Sequence, residues 1–202
     1  MSAPRLNSIE VYYSTGLISR FAFADPGNCQ DVVDQLKTAN SFYTRSLVLL
    51  STRFGLTALQ TANVARLDFF GFDLPIADYL NSVTSIVQVS EQSFRALFDP
   101  SSMAEERRRA WQVPGEDQEG FVEFEIAGSQ SVYWRVNMQS QRLTAADLPT
   151  YIGGLLQSGG LHAELEYGQG ISIINPRHIL TASFYPGPPI VPPGTWDVSA
   201  TI

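Results

Sequence analysis

The sequence predicts a soluble α+β protein built from two tandem ββαββ units, with antiparallel sheets packed in a pseudo-two-fold arrangement. Three observations predict it. Alternating apolar residues around glycine-containing turns occur near residue 9 and again near residue 122. Apolar residues at helical spacing follow each of these hairpins. Residues 55–70 also align without gaps with residues 170–185. The expected boundaries are 8–73 for the first unit, 74–118 for a helical connector, 119–187 for the second unit and 188–202 for a Pro-rich extended arm.

Ile9, Val11 and Tyr13 alternate with polar residues, Ser14-Thr15-Gly16 turns the chain, and residues 18–23 return it, which is the hairpin pattern. Asp25-Pro26-Gly27-Asn28 breaks the strand. Asn28 is a candidate N-cap, Asp31 favours the first turn, and Cys29, Val32, Val33 and Leu36 share one helix face. Residues 47–50, 56–59 and 64–70 read as an antiparallel pair with an irregular corner at residues 60–63.

The middle segment changes period. Pro75 suits a first helical turn, and Ile76, Tyr79, Leu80, Val83 and Val87 form a helical stripe. Phe94, Leu97 and Phe98 form a shorter one, ended by Asp99-Pro100. Ser102 and Glu105 have capping-box spacing, and Pro114-Gly115 ends the connector. Val122, Phe124 and Ile126 then restart strict alternation; Gly128 turns the chain, and Val132, Trp134 and Val136 return it. Leu148, Tyr151, Ile152, Leu155 and Leu156 share a helix face that ends at Gly159-Gly160. Residues 161–167 and 170–184 read as strands.

In the gapless match Gly55 faces Gly170, Thr57 faces Ser172, Leu59 faces Ile174 and Phe69-Phe70 faces Phe184-Tyr185. Ile9-Glu10-Val11 likewise resembles Val122-Glu123-Phe124, and Ser19-Arg20-Phe21 resembles Trp134-Arg135-Val136. A single unit leaves apolar surface exposed, and a second copy can cover it.

Composition bounds the function. An apolar content of 44% with 16% charged residues is that of a folded globular chain. A formal charge of −7 argues against nucleic acid as a general partner. The single cysteine, Cys29, excludes an internal disulfide and a cysteine-based zinc site. No apolar run approaches the ~20 residues of a membrane-crossing helix, and residues 1–8 lack a signal-peptide core. A cytoplasmic or virion-associated location is expected, with no cofactor and no metal.

Candidate chemistry is sparse. His178 in Asn175-Pro176-Arg177-His178 has the side chain of a general base, with Asp68 or Glu164 as a carboxylate partner. The match with Asn63 makes it a polar turn position instead. His162 opens a strand. Cys29 at a helix start has the position of an activated thiol, but its register places it with apolar residues. Glu123 and Glu125 are spaced as an acid/base pair, or as the wet side of a sheet. Arg107-Arg108-Arg109 suits an anion or an acidic partner, yet two preceding glutamates mark a solvated helix end. No phosphate loop, dinucleotide fingerprint or zinc-protease motif is present.

The proline-rich tail, residues 186–194, favours a stiff polyproline II arm. Pro189, Ile190, Val191 and Trp196 are its candidate partner-binding residues, docking in a groove or on a sheet edge. The expected function is therefore a non-enzymatic assembly or interaction protein with protein partners. It would form a homo-oligomer or a larger particle such as a bacteriophage virion. The alternatives are a small-molecule or peptide binder using a crevice lined by Tyr12, Tyr13, Tyr133 and Trp134, and a hydrolase using His178.

Overall fold

A computed structural model describes residues 8–23, 42–52, 55–71, 83–97, 117–139, 148–166, 170–185 and 195. Alternating β-branched and aromatic residues dominate these segments, and they form eleven strands. In chain order these are β1 (Ser8–Tyr13), β2 (Ile18–Ala22), β3 (Leu47–Thr52), β4 (Gly55–Gln60), β5 (Val64–Phe70), β6 (Val83–Val89), β7 (Asp117–Ile126), β8 (Val132–Gln139), β9 (Leu161–Leu165), β10 (Gly170–Ile174) and β11 (Ile179–Tyr185). Two short helices, α1 (Glu91–Leu97) and α2 (Leu148–Leu156), lie among them. Single 3-10 turns occupy Phe42–Thr44, Thr61–Asn63 and Pro176–His178.

Nine strands form one mixed sheet in the order β11-β7-β8-β6-β9-β10-β5-β1-β2, and β3 pairs with β4 in a separate hairpin. This overturns the expected α+β arrangement of two ββαββ units packed as separate antiparallel sheets. The described chain is mostly β. Strand β10 pairs with β5, from Gly170↔Phe70 to Ile174↔Arg66, so that early and late strands share one sheet. The physical reason is edge satisfaction: joining β5 to β10 pairs backbone groups that two separate sheets would leave open.

The helical connector is also corrected. Residues 83–89 form β6, antiparallel to β8 and parallel to β9. Val83, Thr84, Ile86, Val87 and Val89 are β-branched and stiff at χ1, which favours a strand over the helical stripe inferred from Val83 and Val87. Their alternation decides the packing: Ile86 packs against one core cluster, Val87 and Val89 against another. The short stripe after it does form a helix, α1. The inferred helix at 28–40, the segment at 98–116 and the proline arm lie outside the described residues, apart from exposed Thr195.

The core has three parts. Ile9, Val11, Leu67, Phe69, Ile171 and Ile173 face the β3–β4 hairpin, which contributes Leu59 with Val48 and Leu50. Val122, Phe124, Val132, Trp134 and Val136 meet Ala65, Leu161, Ala163 and Ile174, a contact that requires a curled sheet. On the outer side of β7 and β8, α1 inserts Phe94, stacked on Tyr133 at 4.7 Å and edge-on to Phe121 at 5.8 Å.

The gapless sequence match has a local structural counterpart. Both stretches run strand, 3-10 turn, strand: β4, Thr61–Asn63 and β5 in one, β10, Pro176–His178 and β11 in the other. The glycines that open them have φ of 159° and 147°. Registers agree as well. Val48↔Leu59 in β3–β4 corresponds to Leu161↔Ile174 in β9–β10. Ile9↔Phe69 in β1–β5 corresponds to Val122↔Phe184 in β7–β11. The match inferred for the returning strands is two residues out of step. Ile9 faces Phe21 and Val122 faces Trp134, so Trp134 corresponds to Phe21 and not to Ser19.

Candidate functional site

Strands β2, β1, β5 and β10 set four polar residues in one cross-strand row: Arg20, Glu10, Asp68 and Ser172. Tyr12 and Arg66 face each other in the next row on the same side. Alternation explains the placement. Ile9, Val11, Leu67 and Phe69 occupy the opposite face with the apolar core, so Glu10, Tyr12, Arg66 and Asp68 must share this one.

Glu10 and Asp68 are like charges directly opposite each other, an unfavourable pair on its own. Each is offset by its own arginine. Arg20 Nε lies 2.7 Å from Glu10 Oε1, and Arg66 Nη2 lies 3.2 Å from Asp68 Oδ2. Ser172 Oγ donates to Asp68 Oδ1 at 2.7 Å, Tyr12 Oη donates to Glu10 Oε2 at 2.6 Å, and the Arg66 guanidinium stands 3.7 Å over the Tyr12 ring. Burial pushes the Asp68 carboxyl up from its ordinary range, while Arg66 and Ser172 pull it down. Burial is also the main reason the Tyr12 hydroxyl is pushed up. Asp68 is only 3% exposed and both its oxygens are engaged. Each carboxyl therefore has an arginine beside it, while Arg66 Nε is buried without a hydrogen-bond partner. The cluster ties four strands together in register.

The proposed hydrolytic pairing is not assembled. His178 Nε2 donates to the Ala62 carbonyl at 2.7 Å, tying one 3-10 turn to the other. Asn175 strengthens the same junction, giving Nδ2 to Val64 O and its backbone N–H to Ala65 O, both at 2.9 Å. The correspondence of His178 with Asn63 has a backbone basis: Ser14 N donates to Asn63 O, and Ala127 N donates to His178 O. His162 is turned to the side opposite Leu161 and Ala163. Burial alone pushes its imidazole down to about 4.

The four aromatic residues inferred to line a crevice are dispersed. Tyr12 covers Arg66, Tyr13 packs against the core beside the β3–β4 hairpin, Tyr133 lies under Phe94, and Trp134 is buried on the other face of β8, edge-on to Phe124 at 4.8 Å. Glu125 is exposed and Glu123 partly so. Cys29, Arg107-Arg108-Arg109, Pro189, Ile190, Val191 and Trp196 fall outside the described residues. Among the described residues no group of three or more His, Cys, Asp or Glu has the arrangement to hold a metal, and no helix is long and apolar enough to cross a membrane.

What remains open is surface. The outer face of the β3–β4 hairpin carries Leu47, Leu49 and Leu56, each 45–67% exposed, with exposed Ala58 beside them. Leu180 on β11 is 69% exposed, and β11 ends the large sheet. Among the described residues no strand pairs with the outer edge of β4 or of β11. Sequence reasoning missed both the polar row and this leucine face. Their signals were charges two apart in an otherwise apolar strand, Arg66 and Asp68, and leucines on both faces of β3. No family model, no curated protein and no solved structure matches this chain.

Proposed function

We propose that the chain is a non-enzymatic assembly protein, a structural component of a larger particle, and that its surface carries its function. The observation that supports this most directly is the leucine face of β3–β4. A folded chain gains nothing by leaving Leu47, Leu49 and Leu56 in water, and each leucine covered on association contributes roughly 1.5–3 kcal/mol. The polar row supports the same conclusion, because Glu10 and Asp68 each stand against an arginine that ties neighbouring strands together.

The test is sedimentation velocity of the full chain over a wide concentration range. Species heavier than the 22.3 kDa monomer are expected. The Leu49→Arg/Leu56→Arg double variant should keep its circular dichroism spectrum and shift toward monomer. A wild-type chain that stays at monomer mass throughout overturns the proposal.

A further inference from the structure

We draw no further inference here: the strongest candidate, the exposed leucine face of the β3–β4 hairpin formed by Leu47, Leu49 and Leu56, belongs to the surface already described, and nothing in the structure shows what covers it.

Discussion

The hairpins β3–β4 and β9–β10 have the same register and both lead through a 3-10 turn into a further strand, yet their surroundings are opposite. β9–β10 is enclosed: β6 pairs with one edge, β5 with the other, and its outer face carries Ile171 and Ile173 into a core with Tyr43, Leu67 and Phe69. β3–β4 has no strand on either outer edge among the described residues, and its outer face carries Leu47, Leu49 and Leu56 in water. The same local geometry is therefore a core element in one place and a surface in the other. Neighbours, rather than the hairpin itself, decide which.

The largest contrast should appear at Arg66 and its counterpart Thr181. Arg66→Leu leaves the buried Asp68 carboxyl without its cationic partner, at a cost of roughly 3–5 kcal/mol in urea unfolding. Arg66→Leu/Asp68→Leu should recover much of that loss, since replacing both partners removes the unpartnered buried carboxyl. Thr181 is exposed, and Thr181→Leu should change stability by no more than about 0.5 kcal/mol. Equal effects at the two positions would erase the distinction between the enclosed and the open edge.

A second pair sharpens it. Ile171→Ala empties buried volume beside Phe69 and should cost about 2–5 kcal/mol. Leu56→Ala, its counterpart, removes a side chain already in water and should leave monomer unfolding nearly unchanged while weakening self-association. The two variants are best compared at concentrations low enough to keep the chain monomeric.

How much of this was legible follows from what each pattern encodes. Period-2 alternation located β1, β2, β7 and β8, because each has one face in the core and one toward solvent or a cover. The 60–63 corner was legible because Gln60 to Asn63 interrupts two apolar runs. The gapless match placed β4 and β5 against β10 and β11, since glycine, turn and strand recur at fixed offsets. The pairing partners were not legible. Nothing in Phe69 or Ile171 says that its neighbour lies a hundred residues away rather than in the same hairpin. β6 was misread because Val83 and Val87 satisfy a helical stripe, although the density of β-branched residues argued for a strand. The polar row was invisible for a related reason: Glu10, Arg66, Asp68 and Ser172 come from three distant strands, and only sheet order makes them neighbours.

The counterpart of exposed Leu49 is His162, and here the comparison becomes a pH dependence. His162 is largely buried on the enclosed hairpin, and burial lowers its imidazole to about 4 from an ordinary 6.5. The native state therefore keeps it neutral where the unfolded chain protonates it. Its contribution is fully present above pH 6.5 and is lost as the pH falls toward 4, because protons then bind the unfolded state preferentially. The loss should reach about 3 kcal/mol by pH 4, read as a falling urea midpoint. His162→Leu should flatten that part of the profile, whereas Leu49→His should leave the profile of the monomer as it was.

The smallest effect is the loss of one hydroxyl from what seals the enclosed face. Tyr43 Oη donates to the Ile173 carbonyl at 2.8 Å, and its ring lies over Gly160, where a Cβ would come within 3.4 Å of it. Tyr43→Phe keeps the ring and removes only the hydrogen bond, at a cost of about 1–2 kcal/mol for a buried carbonyl left without that donor. Tyr43→Ala also removes the ring and should cost about 3–5 kcal/mol by analogy with aromatic truncations in cores. The difference between the two variants measures how much of the seal is packing. If Tyr43→Phe proved as damaging as Tyr43→Ala, the cover over β10 would be held by one hydroxyl. The apolar contrast between the two hairpins would then explain less of their different fates than burial implies.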